Sequence, residues 1–325
     1  MKITRAVMCF GMFCVTLVAS SGLVHGQEKY PSRPITLVVP TPPGGGTDVV
    51  ARRLQAIVEP ILGVPVVVRN MPGAGGVVGT AYVADAKPDG YTLALTFNGA
   101  LTTIPSTKRV PYKTDSYVPI MQVGSSFYAM CVAPTFPANT GREFLEELRR
   151  NPNKYTYGND GAGGNMHLAA ERIFSKFAVK ARAVPLGGAG ETARFFLGGH
   201  IDIYGGSVPP IMPYVTAGTA KCLLLTSAND KATLPQASGL AALGAAELET
   251  GFWYVIVGPK DLPLEIVKTL HQALGKAVES ASFKETLDKL GAEAVFRGPD
   301  ETKALIQREG KELGDVARQL GLGLD

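Results

Sequence analysis

Metal-ligating residues are scarce in this chain: 325 residues hold 4 cysteines and 4 histidines. The histidines (His25, His167, His200, His271) are scattered, so no metal-ligand spacing can be drawn from them. Charge is sparse too, at 18% of residues, with 32 basic against 28 acidic side chains. The pairs Arg52-Arg53, Lys108-Arg109 and Arg149-Arg150 stand alone without interleaved aromatics. They read as solvated helix faces and argue against a nucleic-acid footprint. Beyond the N-terminus no stretch of roughly 18 or more apolar residues exists to anchor the chain in a bilayer. A serine nucleophile is missing as well: Gly205-Gly206-Ser207-Val208-Pro209 lacks the closing glycine of a nucleophile elbow, and no triad partners stand out. No tandem repeat or low-complexity segment interrupts the chain.

The N-terminus is patterned for export. Lys2 and Arg5 form a positive n-region, Ala6 to Ala19 an apolar h-region, and Val24-His25-Gly26 ends in small residues before Gln27. Residues 1–26 therefore read as a signal peptide and the mature chain as periplasmic. Cys14 follows Met12 and Phe13, which does not make a lipoprotein box. Losing Lys2 and Arg5 and no acid brings 32 basic residues to 30 against 28 acidic, so the mature chain is nearly neutral at +2. Its length, about 299 residues, exceeds what single cores usually reach and favours two domains. Cys131 and Cys222 survive processing. An oxidising compartment permits a disulfide between them, but each sits in a strand-like apolar run where cysteine also serves as a small hydrophobe, and both readings stay open.

Apolar strand-like runs alternate with helical patterns along most of the chain, which predicts α/β layers with largely parallel sheets. Strand 35–39 leads to helix 48–62, stopped by Gly63. Strand 64–69 leads through Asn70 to Gly76 into a helix near Ala86, and Pro88-Asp89-Gly90 turns into strand 91–96. After a Thr-, Pro- and Lys-rich loop at 102–113, the runs 118–123 and 128–133 read as two consecutive strands crossing into a second domain. That domain holds helix 142–150, strand 154–157, helix 166–177, strand 181–185, helix 191–197, strand 201–204 and strand 222–226. Strand 252–257 and helices 264–279, 283–290 and 300–320 return to the first sheet. This predicts a discontinuous first lobe, 27–127 plus 228–325, and a second lobe, 128–227.

Two glycine-rich turns link strand to helix. Gly44, Gly45, Gly46 and Thr47 precede Asp48, and Gly158 to Asn165 precedes the helix that begins near His167. Such turns let backbone N–H groups and a helix N-terminus converge on an anion without lysine or arginine. Each charge-assisted hydrogen bond to a carboxylate is worth roughly 1.5–3 kcal/mol. A handful suffices for micromolar affinity, about −8 kcal/mol.

Several ordered motifs resemble the Bug family of extracytoplasmic solute receptors of tripartite tricarboxylate transporters. They are Tyr30 to Ile35, Pro43 to Asp48 with Arg52, Asn70 to Gly76, Pro88 to Leu93, Tyr157-Gly158, Gly161 to Gly164 with His167-Leu168-Ala169, Gly199 to Asp202 and Gly251 to Trp253. The resemblance covers essentially the whole mature chain. It implies an α/β, type II periplasmic-binding-protein fold: two doubly wound α/β lobes joined by two crossing segments, with a ligand between them. It further implies a small carboxylate ligand (a di- or tricarboxylate, an amino acid or an aromatic acid) and a membrane permease of one large and one small subunit. Neither cofactor, metal nor catalysis belongs to that picture, and the chain is read as a monomer. Two departures stand out: Arg69 where family members often carry an acid, and Pro185-Leu186-Gly187 where they often carry Tyr-Lys-Gly.

The candidate ligand-binding residues are Gly44, Gly45, Gly46 and Thr47 on one side and Asn159, Gly161, Gly163, Gly164 and Asn165 on the other. Asp48 either accepts from a ligand or pairs with Arg52. His167 either touches the ligand or holds its loop. Thr96, Phe97 and Asn98 end a strand where ligands of open α/β sheets gather, as do Gly205, Gly206 and Ser207 in the other lobe. Phe127, Tyr128, Tyr204, Phe252 and Trp253 offer an aromatic wall, with core packing as their default role. Gly73, Gly75 and Gly79 imitate a dinucleotide fingerprint but have the wrong spacing, and 72–76 reads as a structural loop near the cleft floor. The rival to a receptor feeding a permease is an exported hydrolase-like enzyme, or a receptor serving a sensor.

Overall fold

The computed structural model describes residues 30–161 and 163–319; the expected signal peptide lies outside them. Strand β1 (Ile35–Val39), helix α1 (Gly46–Leu62), β2 (Val66–Asn70), α2 (Val77–Ala84) and β3 (Thr92–Phe97) come first. A wide helical turn at Gly99–Thr103 and α3 (Ile104–Thr107) lead into β4 (Tyr117–Val132). Next come α4 (Gly141–Arg150), β5 (Thr156–Asn159), α5 (Asn165–Lys176), β6 (Arg182–Pro185), α6 (Ala189–Leu197), β7 (Ile203–Ser207), α7 (Met212–Thr216) and β8 (Lys221–Leu225). The chain closes with β9 (Gly251–Pro259), α8 (Leu264–Glu279), α9 (Ala281–Lys289), β10 (Ala292–Arg297) and α10 (Pro299–Gln319).

Local chemistry accounts for these elements. β1 is buried on both faces, as a strand covered by helices on both sides must be, and it pairs in parallel with β2 and β3. α1 turns Val50, Ala51, Leu54 and Val58 inward and ends where Gly63, at φ 72°, donates its N–H to Glu59 O. α4 opens on Thr140, whose hydroxyl accepts from Glu143 N.

The strand order is β2-β1-β3-β9-β4-β7-β5-β6, with β10 and β8 also on β4. Parallel triplets, β2-β1-β3 and β6-β5-β7, lie at the two ends, and antiparallel strands join them. The two strands expected at 118–123 and 128–133 are a single strand of 16 residues. Its first part pairs with β9 and β10, its last five residues with β7 and β8. Gly124-Ser125-Ser126, which looks like a break in sequence, stays in the ladder opposite β9. β10 and the 99–107 helical segment are absent from the sequence reading. Only one of the six β10 residues is buried, so its pattern is weak, and the 99–107 segment is rich in Thr and interrupted by Pro105.

Cys131 and Cys222 form a disulfide between paired positions of β4 and β8. Residues 228–250, expected in the first lobe, reach both halves: Lys231 pairs with Glu293 of β10, and further contacts tie the segment to the second half. Leu224 bridges to Ser238, Ser238 Oγ accepts from Gly141 N, and Lys176 pairs with Glu247. The chain returns at β9, where buried Thr226 ties both crossings together: its hydroxyl accepts from Tyr128 N and donates to Thr250 O.

Candidate functional site

Between the two halves lies a cavity of about 340 Å³. The first half contributes the β1–α1 turn (Gly45, Gly46, Thr47), the 72–76 turn and Phe97. Tyr128 and Phe252 come from the two crossing strands, and Asp160, Met166, the 187–191 turn and Gly205–Ser207 come from the second half. The described lining contains no lysine, arginine or histidine.

The β1–α1 turn is built to leave donors free. Gly45 N–H is used by Pro42 O, and the Ncap position carries no side-chain cap, so the early N–H groups of α1 face the cavity end of the helix. The Thr47 hydroxyl is buried without a partner, as are the Thr41 and Tyr128 hydroxyls in the same wall. Asp48 stands behind the wall. Its carboxylate accepts from Gly44 N at 2.9 Å, Asn70 Nδ2 at 2.9 Å and Arg52 Nε at 3.1 Å. Burial raises its pKa, but the bonds from Arg52, Gly44 and Asn70 together outweigh this and hold it below the ordinary carboxylate range. Of the two roles open to Asp48, the structure fills the pairing one and shapes the loop with it.

The turn before α5 behaves differently from expectation. Asn159 Oδ1 accepts from Gly161 N, His167 Nδ1 from Gly163 N, and Gly161 O from Gly164 N. The N–H groups of Met166 and His167 are taken by the carboxylate of Asp160, and a Cβ at Gly164 would collide with that carboxylate. Asn159, Gly161, Gly163, Gly164, Asn165 and His167 therefore lie outside the cavity lining, and this helix start is already occupied by an internal acid. Asn165 instead meets Thr103 Oγ1 across the gap between the halves. His167 takes the loop-holding role.

The second turn that does reach the cavity is 187–191, at the start of α6. Its Ncap, Gly188 (φ 127°), has no side-chain cap. A Cβ on Gly190 would stand 2.9 Å from Gly45 N, so the starts of α1 and α6 meet across the gap. Gly46 is equally confined: its Cβ would lie 2.7 Å from Ser207 Oγ and 3.0 Å from Tyr254 Oη. Two helix N-termini brought together without a basic neighbour form a positive focus. The sequence signal for it was the Gly187-Gly188 pair between a strand and a helix.

The remaining candidates divide. Phe97, Gly205, Gly206 and Ser207 line the cavity, whereas Thr96 bonds Thr80, and Asn98 donates to Gly251 O and Glu309. Phe97 stacks on Phe252 at 5.1 Å, and Tyr128 meets Phe252 edge-on at 5.6 Å, so an aromatic wall does form from these three. Trp253 donates to Glu309, Tyr204 is buried with its hydroxyl on Ser207 O, and Phe127 lies beneath Lys231, all outside the lining. The 72–76 turn, read from sequence as structural, is part of the wall.

Two α/β halves, two crossings and a cavity between them define a periplasmic-type solute-binding protein. The family model for the tripartite tricarboxylate transporter family receptor matches residues 50–322, and the chain belongs to that family. It is 29% identical to Protein BugT of Bordetella pertussis over the full length of both chains. Among solved structures, the periplasmic binding protein BugD superposes with a TM-score of 0.85 at 30% identity, covering 90% of this chain and 99% of that one. MatC from Rhodopseudomonas palustris, solved with malate, gives 0.82 at 25% identity over 88% and 99% of the chains. R. palustris Rpa4515, solved with adipate, gives 0.85 at 26% over 90% and 99%. The chain is thus a solute receptor and not an enzyme. No helix among the described residues is long and apolar enough to cross a membrane.

Proposed function

We propose that the mature chain works in the periplasm as a monomeric receptor that closes around a small carboxylate and hands it to the permease subunits of a tripartite tricarboxylate-type transporter. One observation carries the ligand class: two uncapped helix starts and unpartnered buried hydroxyls converge on a cavity with no basic side chain. Gly46, Thr47 and Ser207 hold the anion, joined by the 187–191 turn, and Phe97, Tyr128 and Phe252 pack its body. The bound malate and adipate of the relatives support the same class. The lobes are 30–127 with 251–319, and 128–250, because Ser238 and Glu247 bond to α4 and α5. Closure is a hinge motion about β4 and the Thr250–Gly251 crossing. Titrating the mature protein against a carboxylate panel tests this. A ligand at about 100 times its Kd adds about 2.7 kcal/mol, enough to raise the melting temperature by several degrees, and shrinks the radius seen by small-angle scattering. No change in either measurement across the panel refutes the proposal.

A further inference from the structure

The cavity is electrically one-sided. Its free N–H donors come from the meeting of α1 and α6, and the only charged side chains in the described lining are two acids, Asp160 and, in the first turn of α6 itself, Glu191. Each is fixed. Glu191 accepts from Gly187 N at 2.6 Å, and Asp160 is held by the N–H groups of Met166 and His167 at 3.1–3.3 Å. Neither acid has an arginine or lysine bonded to it among the described residues. The rest of the wall is Phe97, Tyr128, Met166, Phe252 and glycine turns.

Resting on the carboxylate reading above, we infer that Asp160 makes this receptor select a monocarboxylate: one carboxylate sits at the helix starts, and the far end of the ligand is apolar or donates a hydrogen bond. A second carboxylate would enter a confined, weakly screened space already holding an acid, with no cation to receive it. Like charges at short range in such a space repel strongly. A hydroxyl or ammonium at the same place would find a fixed acceptor. Burial pushes the Asp160 carboxyl up, and the Met166 and His167 amides pull it back toward the charged form on which the repulsion depends. The specificity is therefore partly a rejection built into the wall.

The test uses matched acids that differ only at the far end: hexanoate, 6-aminohexanoate and adipate, and in parallel benzoate and terephthalate. Calorimetric titration of the mature wild type should rank each dicarboxylate about tenfold or more weaker than its monocarboxylate partner, a difference that one like-charge contact supplies. In Asp160→Asn, where the amide oxygen still accepts from the α5 N–H groups, the adipate-to-hexanoate affinity ratio should rise about tenfold and the 6-aminohexanoate-to-hexanoate ratio should fall. Asp160→Ser should do the same, which guards against a folding artefact of either variant. Adipate or terephthalate binding as tightly as its partner in the wild type overturns the inference while leaving the receptor reading intact. So does an Asn variant with both ratios unchanged. Silence from all five acids overturns this inference, and silence across the broader panel as well removes the carboxylate reading with it.

Discussion

Gly190→Ala separates closure from stability. Gly190 is buried near the start of α6, and a methyl group there would stand 2.9 Å from Gly45 N, 3.1 Å from Gly44 C and 3.2 Å from Gly44 O, whereas ordinary van der Waals contact begins at 3.4 Å. All three neighbours are backbone of the opposite half, so none can rotate aside. The halves must stay apart by about 0.5 Å at the point where the two helix starts meet. Overpacking of this kind costs about 1–3 kcal/mol, which charged to the closed state alone lowers affinity about 5- to 150-fold. Within the second half the same change is benign, because alanine exceeds glycine in helix propensity by up to about 1 kcal/mol. The ligand-free melting temperature should therefore hold or rise slightly while Kd for any bound carboxylate weakens. Gly310→Ala, where the added methyl meets nothing within 4 Å, is the control and should leave Kd as it is. Calorimetry and differential scanning on the three proteins decide the matter. A Gly190→Ala protein that binds as tightly as wild type, or that loses stability in step with affinity, would refute the argument.

Asp48→Asn should lower stability by about 2–3 kcal/mol at neutral pH, since a buried acceptor of three donors loses its charge. The Asp48 carboxyl lies below its ordinary value of 3.8 when folded, so its contribution is present above that pH and fades as pH falls through the folded pKa. Urea midpoints of wild type and variant should therefore converge below about pH 3.8; a gap that stays constant with pH counts against the ion-pair account. Replacing Cys131 and Cys222 together by alanine opens a loop closed over 91 residues and should cost about 2–5 kcal/mol in guanidinium unfolding. An unchanged midpoint would show that the pairing of β4 with β8 holds without the covalent link.

The order of strands and helices was legible because buried strands and amphipathic helices have different periods, and most element ends fall within a few residues of expectation. What failed had physical reasons. β4 contains Gly124-Ser125-Ser126, a turn-like composition that tertiary pairing with β9 overrides. β10 is a partly exposed strand whose pairing on β4 is long-range. The boundary near Ser227 followed the end of a strand, whereas the packing of 228–250 depends on contacts with α4 and α5. In the site, the β1–α1 turn was legible from three glycines after a buried strand, and so were the strand ends at Phe97 and 205–207. The turn before α5 has the same composition, and nothing in its spacing reveals that Asp160 folds back to fill its own helix start. A neighbouring acid inside a glycine turn is the signal to weigh in such cases, because it competes with any external anion for the same N–H groups.

A single 16-residue strand, paired along both sides, runs through the ladders of both halves. Its residues 117–127 ladder with the first half and 128–132 with the second, so each half is anchored to one continuous backbone. The molecule thus resembles two jaws cut from one plank and free to flex about it.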